Sequence, residues 1–112
     1  PRKVEIARND LTTAPYNVAV QVRGRSERVR NGLEQRDAAV AVGGRGAVTL
    51  VFKGGRLIVP MVSEDLSKDY PAAFHQISER MKLEESDAVV IGGGENPKSA
   101  ERGALAAAWT LI

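Results

Sequence analysis

The sequence contains no cysteine, a single histidine, one tryptophan, two tyrosines and two phenylalanines. Without cysteine there is neither a disulfide framework nor a thiolate metal centre, and one histidine does not make a zinc site. With aromatic residues at 4%, a dedicated stacking platform for single-stranded nucleic acid is not expected. No apolar run reaches the length needed to span a bilayer, and the opening PRKVEIARNDL lacks the apolar core of a signal peptide. These absences fit a cytoplasmic protein with no membrane partner. An all-oxygen site for a magnesium-like cation stays open, with Asp10, Asp37 and Glu101 as carboxylates to consider. Capping and surface roles are commoner for such residues, so no metal is assigned, and no cofactor is indicated.

At 112 residues, with 43% hydrophobic and 27% charged residues, the chain has the composition of one globular domain. Its net charge of +2 hides a split. Residues 1–56 carry 11 Lys and Arg against 5 Asp and Glu, whereas residues 57–112 carry 5 against 9. The N-terminal half is therefore the part suited to a polyanion.

Lys3–Arg8 alternates apolar and polar residues, as a half-buried strand does. After a loop held extended at Ala14 by Pro15, Tyr16, Val18, Val20 and Val22 define a core face of a second strand. Asn17, Ala19, Gln21 and Arg23 then fall on a wet face. Arg23–Arg36 is dense in arginine, and either a hairpin with Arg28–Leu33 as its return strand or a short helix through Ser26–Gln35 fits it; the hairpin is preferred. Arg23, Arg25, Arg28 and Arg30 on such a ribbon would track phosphates, with nucleic acid as the partner. Against this stands a solvated edge kept soluble by charge.

Asp37–Val42 reads as a short apolar strand closed by glycines. Ala47–Phe52 and Arg56–Val62 are two strands around Lys53-Gly54-Gly55, with Pro60 placing the second at an edge. Ser63–Asp69 is polar and turn-like. Tyr70, Phe74, Ile77 and Met81 then recur on one helical face, so a helix opens at Tyr70-Pro71 and runs to about Leu83. His75 lies beside that face as a surface histidine. The fold class expected is α+β or mixed α/β: a single sheet of about five strands with two C-terminal helices packed on it.

The chain closes with DAVVIGGGENPKSAERGALAAAWTLI. Ala88–Ile91 suits a strand buried on both faces, Gly92, Gly93 and Gly94 a tight turn, and Asn96-Pro97 the start of a helix whose face is Ala100, Gly103, Ala104, Ala107 and Leu111. A strand, a glycine turn and a helix N-terminus together can hold an anion on backbone N–H groups. Gly92, Gly93, Gly94, Lys98 and Ser99 are thus the candidate site for a phosphorylated small molecule or nucleotide, with Glu101 as a candidate ribose-contacting acid. The competing reading is a glycine turn before a well-capped packing helix. Asp37–Gly44 echoes Asp87–Gly94 fifty positions earlier, as two buried strands ending in glycine would. Pro1 reads as a processed start rather than a secondary-amine catalyst.

Two family resemblances attach to these segments. RLIVP, the following helix and DAVVIGGGENPKSAERGALAAAW resemble the nucleotide-sugar-cleaving nucleoside deoxyribosyltransferases and TIR-like domains. That likeness implies a parallel sheet, with Glu101 acting on a ribose. KVEIARND, YNVAVQVRGRSERV and the closing strand-to-helix passage resemble a degenerate ribonuclease H. Because Val48–Phe52 holds no acidic residue, this second likeness implies the fold without the nuclease. A third possibility is a structural subunit that self-associates as a homo-oligomer.

Overall fold

A computed structural model describes residues 2–112, Arg2 through its backbone alone; Pro1, and the expectation placed on it, lie outside the described residues. The strands are β1 (Arg2–Ile6), β2 (Tyr16–Val22), β3 (Gly46–Lys53), β4 (Arg56–Ile58) and β5 (Ala88–Gly94). The helices are α1 (Leu33–Ala41), α2 (Leu66–Asp69), α3 (Pro71–Arg80) and α4 (Pro97–Trp109). All five strands form one α+β sheet in the order β1-β2-β5-β3-β4, every pair antiparallel. The parallel pattern implied by the deoxyribosyltransferase resemblance has no counterpart. Among the described residues no helix is long and apolar enough to cross a membrane.

Central β5 is buried along its whole length, as its unbroken apolar composition requires. One face of the sheet, through Val4, Ile6, Leu50, Val89 and Ile91, meets Leu66 of α2 and Ala73 and Ile77 of α3, with Tyr70, Phe74 and Met81 in the same layer. The other, through Val18, Val20, Val22, Ala88 and Val90, meets Ala39 of α1 and Ala100, Ala104 and Ala107 of α4. Both expected C-terminal helices therefore pack through the faces their spacing predicts.

The third helix on the sheet was not expected. Arg23–Arg36 is neither hairpin nor return strand: a 3-10 turn at Ser26–Arg28 leads into α1, which also absorbs most of Asp37–Val42. Asn31 Oδ1 accepts the Leu33 N–H at 3.0 Å at the start of α1, and the end closes at Gly43 with φ 96°. There the Gly44 N–H donates to Ala39 O at 2.9 Å and the Gly43 N–H to Val40 O at 3.1 Å. This is the double bond pattern of a Schellman cap, which glycine at a positive φ permits. The face of β2 that carries Asn17, Ala19 and Gln21 belongs to the layer of α2 and α3, while α1 and α4 cover Val18, Val20 and Val22, so β2 has no wet side and Asn17, Ala19 and Gln21 are buried. A short helix, α2, replaces the loop read at Ser63–Asp69, with Asp65 as its N-cap. The strand read over Arg56–Val62 ends at Ile58, before Pro60.

Candidate functional site

Gly92, Gly93 and Gly94 do not turn. They are the last residues of β5, paired with Val18, Asn17 and Tyr16 of β2 on one side, while Gly93 and Gly92 also face Gly46 and Ala47 of β3. Backbone groups engaged on both sides of a central strand are not free to cradle an anion. The glycines serve contact instead: a Cβ at Gly92 would fall 2.5 Å from Ala104 N, and one at Gly94 would fall 2.4 Å from Ser99 Oγ. Only with hydrogen at these positions does α4 lie this close to the sheet.

The N-terminus of α4 is also occupied. Asn96 Oδ1 accepts the Ser99 N–H at 2.9 Å, the Asn96 N–H donates to Ser99 Oγ at 3.3 Å, and the Ala100 N–H donates to Asn96 O at 3.1 Å. Pro97 has no N–H to offer. Lys98 and Glu101 share a shallow cleft with Arg80 at the β1 side, where Glu101 is ion-paired with Lys3. The six residues expected to form one site are thus divided: Ser99 caps, Lys98 and Glu101 line the edge cleft, Gly92 and Gly94 face α4, and Gly93 faces the opposite layer.

That opposite layer holds the better site. Gly93, Asn17 at the start of β2 and Gly46 at the start of β3 stand side by side at one end of the sheet. Together with the loop Leu11–Ala14 above them and Arg36 and Arg45 beside them, they line a cavity of about 270 Å³. The loop is fixed from within and from α3. Asn9 Oδ1 accepts the N–H groups of Leu11 and Thr12, both at 2.8 Å, and Asn9 Nδ2 donates to Gln76 Oε1 at 2.9 Å. Asp10 accepts the Ala72 and Ala73 N–H groups at 3.2 and 3.0 Å, so its carboxylate caps α3 rather than holding a metal. The pocket wall is therefore set before any ligand arrives.

Asn17 is the unusual member. It is 2% exposed, its Nδ2 donates to Ala14 O at 2.9 Å, and its Oδ1 has no partner. Since a carbonyl only accepts, the bond to Ala14 settles which amide atom is which. An orphaned buried acceptor costs about 1–3 kcal/mol, and folded proteins seldom leave one. Oδ1 lies 3.3 Å from where a Gly93 Cβ would stand, and both residues line the pocket.

Two cations line the same pocket. Arg36 extends from α1 past Gly46, where a Cβ would come 3.6 Å from its Cγ, and Arg45 follows the Schellman cap with its N–H on Gly93 O at 2.8 Å. Arg36 lies 3.5 Å from Asp37, and Arg45 lies 3.1 Å from Glu95. Both pairs are well exposed, and such pairs contribute at most about 1 kcal/mol, so a bound anion can displace them. Asn17 fell on the face expected to be wet, and with Gln21 on that same face nothing local in β2 set it apart.

The arginines read as a phosphate ribbon lie around the 3-10 turn at the far end of β2. Arg23 faces Glu84 at 3.3 Å and Arg28 donates to Ile112 O at 3.3 Å, while Arg25 and Arg30 lie on the same turn and the loop after it. No group of three or more His, Cys, Asp or Glu able to hold a metal occurs among the described residues. His75 is exposed, with its ring edge-on to Phe74.

A family model described as Domain of unknown function (DUF4443) matches residues 13–111, which takes in the site apart from Leu11 and Thr12. The fold is similar to that of Hypothetical protein PH0730 from Pyrococcus horikoshii OT3, with a TM-score of 0.78 and 25% sequence identity. The likeness covers 97% of this chain and 54% of that one, so this chain spans about half the length of that protein. No curated protein matches the sequence.

Proposed function

The chain belongs to the DUF4443 family, whose description assigns no activity, and from the residues themselves we propose that it binds a phosphorylated small molecule in the pocket around Gly93. The observation that carries this reading is that Asn17, whose buried Oδ1 is unpartnered, lines the same cavity as Arg36 and Arg45. Arginine suits phosphate oxygens, since its planar fork donates two parallel hydrogen bonds. The volume narrows the class. Ligand pockets run from about 300 to 1,000 Å³, so a cavity of about 270 Å³ favours a ligand smaller than a whole nucleotide. The pocket lining contains threonines but no carboxylate, histidine or other acid-base group, so the proposal is binding and not catalysis.

Thermal denaturation with a panel of phosphorylated small molecules tests this. At a hundred times its dissociation constant a ligand adds about 2.7 kcal/mol of stability. A domain of this size should then melt on the order of 10 °C higher. Replacing both Arg36 and Arg45 by glutamine should abolish the shift while leaving the unliganded melting temperature nearly unchanged. A shift that survives the double replacement would remove the reading.

One observation favours self-association as a second reading. Leu105 and Trp109 on α4 and Ile112 just beyond it are exposed, Trp109 to 74%. An apolar ridge of this kind suits a symmetric contact between two copies. Light scattering should report a dimer that Trp109→Gln converts to monomer; a monomer at all concentrations would dismiss it.

A further inference from the structure

Resting on the proposed phosphate site, we infer that Asn17 determines which phosphate the pocket accepts, selecting phosphate monoesters that carry a hydroxyl and rejecting those that lack one. The two ends of the cavity ask for different chemistry. Arg36 and Arg45 offer only donors, which an anion satisfies. Asn17 Oδ1 offers only an acceptor, and it is oriented so by the bond from Nδ2 to Ala14 O at 2.9 Å. An inorganic or simple alkyl phosphate dianion neutralises the arginines but brings no hydrogen to Oδ1. A hydroxyalkyl phosphate does both, its O–H donating to Oδ1 while its phosphoryl oxygens accept from the guanidinium groups.

The surroundings of Asn17 sharpen this selectivity. On the face of the sheet that Asn17 shares with Ala19, its neighbours across β5 are Gly93 and Ile91, neither of which has a side-chain donor. Ala14, which would touch a Cβ placed on Gly93 at 2.7 Å, closes the space above with a methyl group. A site whose buried acceptor must be met discriminates against a ligand without a donor far more strongly than an apolar pocket discriminates by size. With glycine at position 93 no side chain stands against Oδ1, where a Cβ would come to 3.3 Å.

The test compares glycerol 1-phosphate with propyl phosphate, which has the same charge and carbon skeleton but no hydroxyl, by isothermal titration calorimetry on the full chain. Wild type should bind glycerol phosphate ten-fold or more tightly than propyl phosphate, and this comparison needs no variant. Asn17→Leu should bring the two affinities within two-fold of each other while propyl phosphate binding persists. The Asn17 side-chain amide signals in wild type should move on adding glycerol phosphate and stay in place with propyl phosphate. Equal affinity of wild type for the two compounds, abolished by R36Q/R45Q, would overturn the role of Asn17 and leave the phosphate site standing. Binding of neither compound would overturn both.

Discussion

Gly92 lies so close to Ala104 that a Cβ on the glycine would come 2.5 Å from the Ala104 nitrogen and 2.7 Å from its Cα. The obstacle is helix backbone, which cannot rotate aside as a side chain does. Gly92→Ala should therefore push α4 from the sheet and cost about 3 kcal/mol, the upper end of ordinary overpacking. Gly103→Ala is the control on the same helix: its Cβ would meet the Ala39 Cβ at 3.3 Å, and the gain in helix propensity, about 1 kcal/mol, offsets much of the crowding. Urea denaturation of the two variants should separate them by about 2 kcal/mol.

Asp87 ties two loops together at the opposite end of β5. Its carboxylate, 2% exposed, accepts from Gln21 Nε2 at 2.8 Å, Glu84 N at 2.9 Å and Gly24 N at 3.1 Å. Asp87→Ala strands the Gly24 and Glu84 N–H groups, while Gln21 Nε2 keeps its bond to Lys82 O at 2.9 Å, at a cost on the order of 3 kcal/mol. Hydrogen exchange should accelerate at Gly24 and Glu84 before the sheet core responds.

Asp10 caps a helix far along the chain, and Asp10→Ala should cost about 1 kcal/mol. The same change frees one end of the loop over the pocket. Amide exchange at Ala72 and Ala73 should rise, and affinity for glycerol phosphate should fall with it.

Glu95 competes with any anion for Arg45, at 3.1 Å across an exposed pair. Glu95→Gln removes the competitor, and since such pairs are worth about 0.2–1 kcal/mol, phosphate affinity should rise by up to about five-fold. Weaker binding in this variant would show that Glu95 supports the site instead of opposing it.

Asp65 supplies a pH dependence. Its carboxylate accepts from the Ser67 hydroxyl at 2.6 Å and from the Ser67 N–H at 3.1 Å, and the hydroxyl bond foremost holds its pKa below the ordinary value. A carboxyl depressed in the folded state stabilises above its unfolded pKa, and that contribution is lost as pH falls through the folded pKa. Acid unfolding of Asp65→Asn, which retains a capping oxygen but no titrating group, should therefore start from lower stability at neutral pH and show a shallower fall below about pH 4. Parallel acid limbs for the two proteins would count against this.

Two segments that look alike in the sequence show where local reading stopped. DAAVAVGG and DAVVIGGG both read as apolar strands closed by glycine, yet the first lies mostly in α1 and the second is β5. Alanine, the best helix former, dominates the first, while Val89, Val90 and Ile91 are β-branched and prefer a pleated, covered surface. Once α1 forms there, it lies with α4 over Val18, Val20 and Val22, while α2 and α3 cover the layer of Ala19, so the supposed wet side of β2 is interior.

The sequence by itself determined the elements whose signals are local. The Gly54-Gly55 hairpin follows from two residues at positive φ, α3 from its apolar spacing, and the start of α4 from Asn96-Pro97 with the alanine face behind it. Each is fixed by residues within one or two turns of one another. Only the tertiary structure decided the rest. Inserting β5 between β2 and β3 placed Gly93 beside Asn17 and Gly46, and the packing of α1 brought Arg36 to the same end of the sheet as Arg45. Asn17, Gly46 and Gly93 are separated by dozens of positions, and no periodicity links them. Their meeting depends on burying both faces of one sheet at once, which is a property of the whole chain and of no single segment.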